Sequence, residues 1–170
     1  MKPRPGQIVC GDIDMRIAAD GTWFYHGTPI NRQKLVKLFS TVVRRDEDGD
    51  YWLITPAEMA RITVDDAPFL AVEMAETNDK GVRTLQFRTN VDKWFTADAA
   101  HPIRVETDTE TGEPRPYIRI AEDGTEARIN RAVFYDLVEN AVVADQDGRD
   151  MLIVESAGDT FVLGPASEET

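Results

Sequence analysis

Arg16-Ile17-Ala18-Ala19-Asp20-Gly21-Thr22 returns later in the chain as Arg119-Ile120-Ala121-Glu122-Asp123-Gly124-Thr125. The match extends outward from these words. Asn31-Arg32 precedes an apolar stripe of Leu35, Leu38, Phe39, Val42 and Val43, and Asn130-Arg131 precedes Phe134, Leu137, Val138, Ala141 and Val142. Both stripes fall at i, i+3, i+4, i+7 and i+8, the period of a helix that buries one face. They keep a constant offset of 99 residues, whereas the Asp-Gly-Thr words are 103 apart. The first copy therefore holds four more residues before its helix, within Trp23 to Ile30. The chain is an internal duplication.

The surrounding residues fill in each unit. The Asp-Gly-Thr words read as hairpin corners, since glycine accepts the left-handed backbone of a tight reversal. Asn31 and Asn130 stand where a side-chain oxygen caps a helix. After each helix comes an acidic turn, Asp46-Glu47-Asp48-Gly49 or Asp145-Gln146-Asp147-Gly148. Two strands then follow, Tyr51 to Ile54 and Arg61 to Val64 in one copy, Met151 to Val154 and Thr160 to Leu163 in the other. Between the copies, Phe69 to Thr77 and Val82 to Thr89 flank Asn78-Asp79-Lys80-Gly81 as a central hairpin, and Ile103 to Glu106 reads as another strand. Residues 107–116, with two prolines, read as an exposed loop, and the tail after Gly164-Pro165 as frayed. The expected fold class is α+β, with internally duplicated units of antiparallel strands and one amphipathic helix each. Residues 1–66 form the N-terminal repeat unit, and residues 67–170 a C-terminal unit containing the central hairpin and the second repeat.

Composition narrows the function classes. The 170 residues carry 42% hydrophobic content, enough for a core without staples. Cys10 is the single cysteine, so an intramolecular disulfide and a Cys/His zinc cluster are both excluded. Lys2 and Arg4 lead into Asp12 and Asp14 without an apolar run, and no stretch reaches membrane-spanning length. The expectation is a cytoplasmic protein with no membrane span. A formal charge of −12 opposes phosphate backbones and argues against nucleic acid.

Asp20-Gly-Thr-Trp-Phe-Tyr-His-Gly-Thr-Pro-Ile30, Leu35 to Asp46, Tyr51-Trp-Leu-Ile-Thr-Pro56 and Val64-Asp-Asp-Ala-Pro-Phe69 together resemble an uncharacterised proteobacterial family, domain of unknown function 1285. The resemblance covers nearly the whole chain, and the first half carries the recognisable words. It implies a duplicated α+β core whose second half resembles a pleckstrin-homology-like barrel, and a role in bacterial signal transduction. It supplies no catalytic residues to carry over.

No nucleophile elbow, phosphate loop, zinc-protease helix or dinucleotide fingerprint is present. Only His26 and His101 could serve a metal or a catalytic triad; His26 lies in the extra segment of the first copy, and His101 is assigned no role. An isolated cysteine such as Cys10 reads as a small buried hydrophobe. Asp46, Asp48 and Asp50, and their counterparts Asp145, Asp147 and Asp150, are hard oxygen ligands of the kind calcium takes, yet neither group matches an EF-hand loop, and the ordinary reading is a solvated turn. No metal and no cofactor are expected. Arg32, Lys34, Lys37, Arg44 and Arg45 make the first helix and its exit basic, where the second helix carries Asp136 and Glu139. Trp23, Phe24 and Tyr25 stand where the second copy has Glu126, Ala127 and Arg128. Divergence at matched positions points to a recognition role, so the candidate binding residues are Trp23, Tyr25, His26, Arg32, Arg44 and Arg45, facing a groove between the repeats. The function expected is a non-catalytic binding or regulatory protein that takes a small anionic ligand or a protein partner. The alternative is an enzyme of unrecognised type using His26 with Asp12 or Asp14.

Overall fold

The structure is a computed structural model and describes residues 1–166. The first copy runs β1 (Ile8–Ile17), β2 (Trp23–Tyr25), β3 (Thr28–Pro29), α1 (Gln33–Ser40), β4 (Val43–Arg45), β5 (Tyr51–Ile54) and β6 (Glu58–Val64). These strands make one sheet in the order β3-β2-β1-β6-β5-β4. The Asp-Gly-Thr word closes the β1–β2 hairpin: the Thr22 amide donates to the Asp20 carboxylate at 2.9 Å, and Gly21 sits at φ +87°. The second copy repeats the corner, with the Thr125 amide on Asp123 at 2.9 Å and Gly124 at φ +91°.

The C-terminal part begins with β7 (Phe69–Asp79), β8 (Val82–Thr89) and β9 (Trp94–Thr96), followed by β10 (Ile103–Thr107). The second copy is β11 (Pro114–Arg119), β12 (Glu126–Ile129), α2 (Arg131–Glu139), β13 (Val142–Gln146), β14 (Arg149–Ser156) and β15 (Asp159–Pro165). A second six-stranded sheet has the order β10-β11-β12-β7-β8-β9, and β13-β14-β15 form a third, smaller sheet. The smaller sheet packs back on the second. β15 lies against β10, the Leu85 amide donates to Ser156 Oγ at 2.8 Å, and the Ala157 amide to the Arg83 carbonyl at 2.9 Å.

Several expectations change on contact with the backbone. Each unit has three strands after its helix, not two: α1 ends at Ser40 and α2 at Glu139, so Val43 and Val142 belong to strands. The β-branched runs Thr41-Val42-Val43 and Val142-Val143 favour extended backbone, and pairing with β5 or β14 satisfies their amides. The units are not purely antiparallel, since β6 returns beside β1 and β12 beside β7 in parallel. The four extra residues of the first copy form the β2–β3 hairpin, whose tip is His26 and Gly27, both at positive φ. Asn130 caps α2 by accepting the Val133 amide at 2.9 Å, but α1 starts one residue late, with Arg32 at its cap and no side-chain bond there. Of the first stripe, Leu38 points to solvent and Val36 takes the buried position. The expected loop shortens because Pro114 and Pro116 enter β11, where β11 has β10 on one side only and a missing amide costs no ladder bond. Cys10 is exposed, on a stretch of β1 that β2 does not reach. Of the tail, Ala166 donates its amide to the Asp150 carbonyl at 2.9 Å, and the rest lies outside the described residues.

The two halves are joined by a single hydrophobic core, in which Ile17, Trp23 and Val43 belong to the same cluster as Phe87, Ile118, Leu137 and Phe161. They also exchange turns. Gly21, in the first Asp-Gly-Thr corner, lies so close to Leu70 and Asn90 that a Cβ on it would come within 3.0 Å of both side chains. The second corner docks in return on β4: Asp123 accepts the Arg45 amide at 2.9 Å, and the Gly124 carbonyl accepts Arg45 Nη1 at 3.0 Å. On the side of α1, Lys37 pairs with Asp92 at 2.5 Å.

Candidate functional site

Consecutive strand residues point to opposite faces, and on β4 this separates the two adjacent arginines. Arg45 enters a cleft of about 640 Å³ between the lobes, while Arg44 points to the opposite face. Asp12, Asp50, Tyr51 and Arg61 line the cleft from the first lobe, Arg104, Glu106, Arg115, Tyr117 and Glu126 line it from the second, and Asp65 and Asp66 lie at the junction.

Asp66 organises one wall. It is nearly buried and accepts from the Tyr117 hydroxyl at 2.6 Å, Arg128 Nη1 at 2.8 Å and Arg115 Nη2 at 3.2 Å. Tyr117 is stacked under two cations, the guanidinium of Arg104 at 4.6 Å from its ring centre and that of Arg128 at 5.4 Å. Burial, reinforced by the bond to Asp66, pushes the Tyr117 phenol up to about 12, so it is a fixed donor at neutral pH. Arg104 is held by Glu126 at 2.9 Å and Glu106 at 2.7 Å, and its bond to Glu126 is the main cause of its raised pKa. Arg61 pairs with Asp12 and, at 3.4 Å, with Asp50, and lies over the Trp52 ring. Arg45 differs from these arginines: its Nη1 holds a carbonyl, and its buried Nε has no hydrogen-bond partner among the described residues. Burial raises the phenol of Tyr51 as well.

Chemically this is a cradle of arginines and carboxylates held in fixed positions. Its four arginines face six carboxylates, so it is no simple sink for anions. Among the described residues no group of three or more His, Cys, Asp or Glu side chains is placed to hold a metal ion. In the acidic turn of the first copy, both Asp46 oxygens are engaged, Oδ1 by the amides of Asp48 and Asp50 and Oδ2 by Trp52 Nε1.

The residues singled out by sequence do not gather in one place. Trp23 is fully buried and stacks on Phe39 at 6.2 Å, inside the first lobe. Tyr25 and His26 pack edge to face on the exposed β2–β3 tip, with His26 Nδ1 at 3.4 Å from Asp14, outside the cleft. Arg32 caps α1 with its backbone alone. Arg44 donates to the carbonyls of Thr41 and Val43, and Arg45 is the one of the six that lines the cleft. Asp66, Arg104, Arg115 and Tyr117 were not singled out, because they lie in the link and at the start of the second copy, where no repeated word draws attention. Pro-Arg-Pro-Tyr-Ile-Arg was a usable signal, an arginine and a tyrosine alternating on a strand.

No described helix is long and apolar enough to cross a membrane. No curated protein matches the chain. Among solved structures it is similar to a DUF1285 family protein from Silicibacter pomeroyi DSS-3, with 42% identity over 96% of this chain and 88% of that one and a TM-score of 0.83. A DUF1285 family protein from Shewanella baltica OS155 is more distant, with 27% identity over 75% of this chain and 91% of that one and a TM-score of 0.57. Residues 5–67 match the N-terminal domain of unknown function DUF1285, and residues 68–163 match the C-terminal domain of the protein of unknown function DUF1285. Family matches over both halves, together with a relative of the same architecture, establish that the chain belongs to the DUF1285 family.

Proposed function

We propose that the protein is a non-catalytic binding module of the cytoplasm whose ligand sits in the cleft between the two lobes. The observation that carries this reading is the cleft wall itself, where Arg104, Tyr117, Arg128 and Asp66 form a preset stack opposite Arg45, whose buried Nε has no hydrogen-bond partner among the described residues. Preset donors lower the ordering cost of binding. Because carboxylates outnumber arginines, the ligand that fits bears an anionic group for Arg45 and Arg115 and hydrogen-bond donors for Glu106 and Glu126. The signalling role and the pleckstrin-homology-like second half that the family resemblance implies would agree with a binding role, by analogy alone. The enzyme reading loses support, because His26 lies on an exposed hairpin tip away from the cleft.

The test is a thermal-shift screen against amino acids, nucleotides, cyclic dinucleotides and phosphoinositide head groups. A ligand at about a hundred times its Kd stabilises the native state by about 2.7 kcal/mol. One class should raise Tm in a concentration-dependent way, and Arg45→Gln and Arg104→Gln should each abolish the rise. A flat response to every class, or a rise that survives both substitutions, would defeat this reading.

A further inference from the structure

On the face of β4 that Arg44 occupies lies a second, smaller pocket of about 250 Å³. Its apolar surface comes from Phe69, Val91, Phe95 and Ile120, and Arg44 and Lys93 are its cations. Both cations are exposed, and among the described residues neither belongs to an ion pair within 4.0 Å. Asp123 also lines the pocket, but both its oxygens are engaged, Oδ2 by the Arg45 amide and Oδ1 by the amide and hydroxyl of Thr125. Two cations against one engaged carboxylate leave the lining net positive, in a chain whose formal charge is −12. Thr89, 1% exposed, adds a hydroxyl to the wall.

We propose that this pocket binds a small organic acid, its carboxylate held by Arg44 and Lys93 and its apolar body lying against Phe69, Val91, Phe95 and Ile120. The volume sets the size. Apolar cavities of about 150 Å³ hold benzene, so this pocket suits a molecule of about ten non-hydrogen atoms. The apolar half explains why a bare inorganic anion would be a poor occupant, and the two cations, with no ion-pair partner among the described residues, explain why a neutral hydrocarbon would be. This site is separate from the inter-lobe cleft, with β4 as the wall between them.

Titration calorimetry of the full chain with 3-phenylpropionate, its neutral amide and inorganic phosphate tests the assignment. The acid is expected to bind, the amide and phosphate to bind at least about tenfold more weakly, and added salt to weaken the acid but not the neutral amide. The double substitution Arg44→Gln with Lys93→Gln should lower the affinity for the acid at least about tenfold, a loss of about 1.4 kcal/mol, and leave the amide unaffected. Both side chains are exposed, so the variant should fold. Arg104→Gln, in the other cleft, should leave acid binding unchanged, which separates failure of this site from failure of the larger one. No binding of the acid at millimolar concentration, equal binding of acid and amide, or full affinity in the double variant would each overturn the proposal.

Discussion

Asp66 is the residue through which the cleft wall is held, and Tyr117 is its most informative reporter. The phenol is pushed up to about 12 by burial and by its bond to the Asp66 carboxylate. A folded pKa above the unfolded value of about 10 means that the stabilisation is fully present below pH 10 and is lost as pH rises through about 12. Spectrophotometric titration of the native protein should therefore show late phenol ionisation, from Tyr117 and from the half-buried Tyr51. Tyr117→Phe should reduce that late ionisation by one phenol, leaving the part due to Tyr51, and flatten the alkaline loss of stability. A titration in which the substitution removes an ordinary, early step would mean that the Asp66 bond does not form in solution.

At the scale of the element, the two Asp-Gly-Thr corners share a conformation but differ in what they touch. Gly124 has φ +91°, and a Cβ there would come within 2.7 Å of Arg45 Nη1, whereas Gly112, in the β10–β11 turn and outside both corners, has φ +73° and open space around it. Gly112→Ala should cost about 1 kcal/mol of backbone strain, and Gly124→Ala about 2 to 3 kcal/mol, because the Arg45 contact is lost as well. Urea denaturation of the two variants checks the difference, and equal costs would mean that the corner is not docked on β4. The corners were legible in sequence because a turn with glycine at positive φ needs those residues wherever it occurs. Their docking was not, since Arg45 lies 78 positions from Asp123. The same contrast holds for the helices. The rule that places Asn before a helix identifies Asn130 correctly, but it fails at Asn31, because α1 starts one residue later and Arg32 takes the cap position. Arg44 and Arg45 were singled out together for their charge, and only the alternation of a strand, which the helical stripe had concealed, sends them to opposite faces.

At the scale of the whole molecule, the duplication and the central hairpin were readable from the chain, but the separation of β13-β14-β15 into its own sheet was not, because it depends on where β10 comes to lie. The shared core and the exchanged corners predict one cooperative unfolding transition. Fluorescence, weighted towards Trp23 in the first lobe and Trp94 in the second, should give the same urea midpoint as circular dichroism, and two midpoints would show that the lobes unfold separately. Two-lobed receptors commonly announce an occupied cleft by swinging shut about a hinge. A molecule whose halves are pinned by a corner from each side has no free axis for that motion. Under the proposed binding role, a ligand would act on side chains at the rim: drawing Arg61 from Asp12 or Arg104 from Glu106 frees carboxylates at the surface and changes its charge, not its shape.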